Sequence, residues 1–137
     1  MIKLHRAVYV SEAVDDAARD LAVLSEILGG SQKRNPARGL SGLLIAHDDA
    51  FLQALEGQAA DIERLLERLK RDDRHRNLKL LSFQPIAARA FGEWSMGHAR
   101  ITPRIARTLT TSRLADISEA AALRLLLDCA AALKADA

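Results

Sequence analysis

Hydrophobic positions change period several times along the chain, and each change marks an element. Leu4–Ser11 ends in β-branched and aromatic residues and reads as a strand. Alternation sets Ala7, Tyr9 and Ser11 on one face, Val8 and Val10 on the other. Val14, Leu21, Leu24, Ile27 and Leu28 then recur at helical spacing, Asp15 and Asp16 supply carboxylates at the amino end of that helix, and Gly29-Gly30 ends it. A turn-rich loop, residues 31–39, leads to Leu40–His47, apolar almost throughout, as in a strand covered on both faces. Asp48-Asp49 predict a hairpin turn into a strand over Ala50–Gly57. Asp61 is the expected cap of the next helix, whose apolar stripe is Ile62, Leu65, Leu66 and Leu69, and residues 72–75 finish it.

A fourth strand follows over Leu78–Ala87, with Pro85 pointing to a sheet edge or a strand end. Residues 89–97 form a loop that runs into a short last strand. The order β-α-β-β-α-β(-β) is the ferredoxin-like α+β arrangement. After Pro103 comes a weak helical segment, then a helix over Ser118–Ala135 that is apolar almost all round. Such a helix needs cover on more than one side. It is expected on the sheet face opposite the first two helices, and against a second copy of the chain. The division expected is a domain over residues 1–100 and a helical extension over 101–137.

Composition narrows the class. At 137 residues the chain is one domain's length, with 49% apolar and 28% charged residues and a net charge of only +2. So small a charge gives little reason to invoke nucleic acid. The single Cys129 excludes an intrachain disulfide and fits a reducing, cytoplasmic setting. The amino terminus is no signal peptide, and no apolar run approaches the ~18 residues of a membrane span. One Tyr and one Trp, Tyr9 and Trp94, leave two candidates for aromatic redox chemistry.

The residue that most invites a chemical explanation is Gln53. On its strand it shares a face with Phe51 and Leu55. A buried amide without partners costs about 1–3 kcal/mol, so something polar must meet it, from the protein or from a ligand. Other chemistries find no support. His5, His47, His75 and His98 show no metal-ligand spacing, no nucleophile motif surrounds any serine, and no phosphate-binding glycine loop occurs.

Taken in order, several pieces resemble the BLUF family, blue-light sensors that hold a flavin. They are Tyr9-Val10-Ser11; Ser31-Gln32 with Asn35-Pro36; residues 39–44, Gly-Leu-Ser-Gly-Leu-Leu; residues 51–57, Phe-Leu-Gln-Ala-Leu-Glu-Gly; residues 72–75, Asp-Asp-Arg-His; and Arg89-Ala90-Phe91 through Trp94-Ser95-Met96. Singly they are weak, and together at these spacings they are specific. The resemblance covers about residues 3–100.

It implies an isoalloxazine ring held between the first two helices, by Ile27 on one and Leu65, Leu66 or Leu69 on the other. Asn35 would meet the C4 carbonyl and N3–H edge, since an amide offers a donor and an acceptor at once. Gln53 would bridge Tyr9 and the ring, with Ser31 nearby and Trp94 or Met96 closing the pocket. Arg68, Asp72, Arg74 and His75 match rim positions, and Arg68 and Asp72 are spaced to pair on the helix. Arg34 stands where many relatives carry asparagine; it would donate to the C2 carbonyl or reach a phosphate. FAD is the family's usual flavin, with FMN and riboflavin as alternatives.

The resemblance further implies a sensor and not an enzyme. Light would draw an electron and a proton from Tyr9, and Gln53 would relay the proton and end rotated or in its imidic tautomer. Trp94 is a competing electron donor. The short stretch beyond the domain implies a separate effector protein as the recipient of the signal. The alternative is an RNA-binding ferredoxin-like module, but that mode needs stacked aromatics on the sheet, and this chain has three Phe, one Tyr and one Trp without the Lys/Arg-Gly-Phe signature. A flavin enzyme is a further rival, though no nicotinamide site is evident.

Overall fold

A computed structural model describes residues 3–14, 39–47, 49–99, 101–107 and 113–135. The helix expected over residues 15–28 and the loop after it, with Ile27, Ser31, Arg34 and Asn35, lie outside the described residues, as does Asp48.

Five strands form one sheet: β1 Leu4–Ala13, β2 Ser41–His47, β3 Ala50–Gln58, β4 His75–Ile86 and β5 Gly97–Ala99. Their order is β4-β1-β3-β2-β5. β1 pairs antiparallel with β3 and β4, β2 antiparallel with β3, and β5 parallel with β2. This is the ferredoxin-like order with one strand added beside β2. β4 lies at an edge, so Pro85, which cannot donate to a ladder, costs no inner bond.

Helix α1, Ala59–Lys70, follows β3 without a loop. It begins two residues before the expected cap. Gln58 holds the capping position and Asp61 sits inside the first turn, where its carboxylate favours the helix dipole and accepts from Arg64 Nη2 at 2.6 Å. The helix stops at Lys70, and His75 already belongs to β4 instead of finishing the helix. β1 likewise runs two residues past Ser11, where Ala13 N–H donates to the Asp49 carbonyl at 2.7 Å. Asp49 turns the β2–β3 hairpin at φ 59°, a conformation short polar side chains tolerate.

Period-2 alternation separates two cores. On one face Ala7, Tyr9, Leu44, Phe51 and Leu55 pack with Ile62 and Leu66 of α1 and with Met96. On the other, Val8, Val10, Leu43, Ile45, Leu52 and Ala54 pack with Leu114, Ile117 and the helix Glu119–Ala135. Before that helix lie the short α2, Pro103–Ala106, and a 3₁₀ turn, Leu114–Asp116. The long helix, α3, starts where Ser118 Oγ accepts from Ala121 N–H at 3.3 Å, a side-chain cap. It covers the sheet face opposite α1 through Ala122, Leu125, Leu126, Cys129 and Ala130, and leaves Leu127 exposed.

Candidate functional site

Strand register makes the site. Tyr9 of β1 stands directly opposite Gln53 of β3, and Gln53 directly opposite Leu44 of β2. Side chains so paired share a face at about 5 Å between Cβ atoms, close enough for a phenol and an amide to meet. Tyr9 is 2% and Gln53 3% exposed. The Tyr9 hydroxyl donates to Gln53 Oε1, and Gln53 Nε2 donates to Met96 Sδ at 3.1 Å. The polar partners required at Gln53 are thus a phenol and a thioether. Each bond uses half of one end of the amide, so among the described residues one N–H and one lone pair are left for a ligand edge.

Tyr9 keeps its proton firmly. Burial, and then the carboxylate of Asp72, push its pKa well above the ordinary value of 10.0. Met96 reaches Gln53 because two glycines let backbones close up. A Cβ on Gly42 would lie 2.2 Å from the Ala54 carbonyl oxygen and 3.1 Å from Met96 Cε, and one on Gly97 2.9 Å from Trp94 Cγ.

Beside this bridge a pocket opens. Its apolar walls are Leu44, Phe51, Leu65 and Leu69; Tyr9 and Gln53 form its floor, and Asp72, Arg74 and His75 its polar side. Arg74 clamps Asp72, its Nε donating to Oδ1 at 2.8 Å, its backbone N–H to the same oxygen at 3.0 Å and Nη2 to Oδ2. The Arg74 side-chain bond is the main reason Asp72 titrates below the usual aspartate range. His75 Nε2 faces the Leu69 carbonyl, which only accepts, so that nitrogen carries a proton. In neutral His75, Ser11 therefore donates to Nδ1, at 2.7 Å. The His75 ring also stands edge-on to Tyr9 and to Phe51, with centroids 6.2 Å away in each case.

Six expected residues, Gln53, Leu65, Leu69, Asp72, Arg74 and His75, thus share one pocket with Tyr9, and Met96 is bonded to its floor. Leu66 sits in the core between helix and sheet, one position round from the pocket wall. Arg68 is exposed on the outer side of α1, lining a cleft with Glu63, Arg64 and Arg71. Trp94 packs against the opposite core, with Lys134 Nζ of α3 5.9 Å from its ring centroid. Leu44 and Phe51 are wall residues that the pattern alone did not single out, although both share the parity or register of Gln53. No group of three or more metal-ligating side chains occurs among the described residues, and none of their helices is long and apolar enough to cross a membrane.

Apolar walls beside an amide that keeps donor and acceptor capacity among the described residues suit a conjugated ring with a hydrogen-bonding edge. Fold and site together define a ferredoxin-like cofactor-binding domain. Residues 4–97 match the model of the BLUF family, sensors of blue-light using FAD, and the chain belongs to that family. It is similar to the structures of BlsA in its photo-activated and ground states, with TM-scores of 0.82 and 0.83 at 27% and 26% identity. Those matches cover 93% of this chain and 94% and 87% of theirs. The dark-state structure of BlrB, a BLUF protein, shares the fold at TM-score 0.73 and 24% identity, over 93% of this chain and 98% of that one. Among curated proteins the chain is 28% identical over 99 residues to photoactivated adenylate cyclase subunit alpha of Euglena gracilis, and 29% over 98 residues to subunit beta of Euglena longa. Each match covers 72% of this chain and spans about a tenth of the relative's length, 10% and 11%.

Proposed function

We propose that this blue-light sensor stores its signal as a rearrangement of the Gln53 amide between Tyr9 and Met96. The Tyr9–Gln53–Met96 chain of hydrogen bonds is the observation that carries the reading. Flavin, with FAD the expected form, would be held by Leu44, Phe51, Leu65 and Leu69, with Gln53 at its polar edge and Asp72, Arg74 and His75 at the rim; Ile27, Ser31, Arg34 and Asn35 would complete the site. When bound, that group supplies the blue-light absorption and a transient sink for one electron.

The protein's part is a proton at a stated atom. A phenol that loses an electron becomes strongly acidic, so the Tyr9 proton leaves along its bond to Gln53 Oε1. When electron and proton return to Tyr9, Gln53 is left turned over or in its imidic tautomer. Met96 then feels the change, because a thioether accepts a hydrogen bond but cannot donate one. An amide turned to present Oε1 toward Met96 loses that bond, and the β5 strand that follows Met96 loses a tie to β3. Trp94, on the other side of the sheet and against Lys134, would carry the disturbance to α3.

On this reading residues 1–100 are the sensing domain and 101–137 an output extension, in a cytoplasmic receptor that addresses a separate effector protein or a second copy of itself. The absorption spectrum before and after blue light tests it. The purified chain should be yellow, and light should move its band slightly to the red, reversibly and without bleaching. Steady bleaching with an added reductant, or a colourless protein that retards labelled RNA, would overturn it.

A further inference from the structure

We infer that Glu56 is a positioning residue for the photochemical site, holding the segment before β5 so that Met96 meets Gln53. The inference rests on the reading of Gln53 and Met96 just given. Glu56 lies three residues beyond Gln53 on β3 and points to the opposite face, with 0% of it exposed. Its Oε2 accepts from Arg6 Nε at 2.9 Å and from Ala90 N–H at 2.9 Å. Its Oε1 accepts from Phe91 N–H at 2.8 Å and from Ser41 Oγ at 3.5 Å. A carboxylate has about four lone-pair sites, and here four donors converge on them.

The same end of the segment is tied twice more. Arg89 Nη1 donates to Ser41 Oγ at 2.8 Å and to the Glu56 carbonyl at 3.0 Å, and Nη2 to the Gly39 carbonyl at 2.6 Å. The Arg6 guanidinium carbon lies 5.7 Å from the centroid of the Phe91 ring. Between Phe91 and Met96 there is little slack. Trp94 N–H donates to the Phe91 carbonyl at 3.3 Å, closing a tight turn, and the Trp94 carbonyl accepts from Gly42 N–H at 3.0 Å. The run is therefore pinned at Phe91, Trp94 and Met96. One strand, β3, holds its head through Glu56 and its tail through Gln53. Only a carboxylate fits the head: an amide in its place would turn an NH₂ group toward Arg6 or a backbone N–H, each already a donor.

A residue that only stabilised the loop would act on the photocycle, if at all, whether or not Met96 were present. A residue that positions Met96 acts through it. The test is a double-mutant cycle on the flavin-loaded protein, reading the rate of dark recovery after blue light together with hydrogen exchange at Ala90 and Phe91. Glu56→Gln should speed exchange at both amides and change recovery about fivefold, the scale of coupling between groups in one network. In a Met96→Leu background the same substitution should change recovery by less than about twofold. Arg89→Ala, which loosens the same end from a more exposed position, should behave likewise and serves if Glu56→Gln does not fold. Faster exchange with unchanged recovery, or an equal effect in both backgrounds, would overturn the inference. Both results presuppose a wild type that photoconverts; a wild type that does not would overturn the photochemical reading itself.

Discussion

Gln53 and Glu56 are neighbours on one strand, yet β3 uses them in opposite ways. Gln53 holds a phenol and a thioether, neutral partners that form weak bonds and leave the amide with capacity to spare. Glu56 holds a guanidinium, two backbone N–H groups and a hydroxyl on a charged group with no exposure to water. Charge-assisted bonds are roughly twice as strong as neutral ones, and a buried carboxylate stripped of partners is costly. A group meant to exchange partners cannot be bonded like Glu56, and one meant to fix a frame cannot be bonded like Gln53. The comparison teaches that a two-state bond is useful only beside an anchor that has one state.

The largest way to break the contrast is to remove the exchangeable group. Gln53→Leu keeps the volume but neither the donor nor the acceptor, and it should leave flavin bound while abolishing the light-induced shift; the light-minus-dark spectrum checks this. Next is Glu56→Ala, which strands two backbone N–H groups and the Arg6 pair. It should cost about 3 kcal/mol in denaturant unfolding, the scale for removing one partner of a buried pair. A loss under ~1 kcal/mol, the range of a surface ion pair, would show that Glu56 is no anchor.

The smallest effect concerns Tyr9 in the dark. It is the only tyrosine, so the tyrosinate ultraviolet band reports it alone. Burial and Asp72 raise its folded pKa above the ordinary 10.0, so beyond that pH the unfolded chain sheds a proton the folded chain keeps. Stability from this group is complete below pH 10 and declines above it, and the native protein should show no tyrosinate there. A band rising at pH 10 in the folded protein would mean that the phenol is not sealed in its bond to Gln53.

Much of this was legible in the residues, for reasons of period. Alternation alone grouped Tyr9 with Ala7 and Ser11 apart from Val8 and Val10, and Gln53 with Phe51 and Leu55, and Pro85 marked an edge or a strand end. What alternation cannot supply is register. That Tyr9 lies opposite Gln53, and Gln53 opposite Leu44, follows from how three strands slide into place, which no single strand encodes. Leu44 as a wall residue was lost for that reason. Phe51 shares the parity of Gln53, so its face is legible, but its place in the pocket wall depends on what packs across that face. Asp61 misled because it is a good cap in isolation, while the strand ran straight into a helix that starts at Ala59. Glu56 was visible as a carboxylate amid apolar neighbours, Leu55 before it and Gly57 after, and such a residue always needs partners. Those partners come from residues 50, 35, 34 and 15 positions away, beyond any local pattern.

The most direct test of the central claim is the light-minus-dark absorption spectrum of Tyr9→Phe beside that of the wild type. Without the hydroxyl no proton passes to Gln53, so the variant should hold its flavin, remain brightly fluorescent and show no red shift under blue light that converts the wild type. A Tyr9→Phe protein that shifts and recovers as the wild type does would contradict the account.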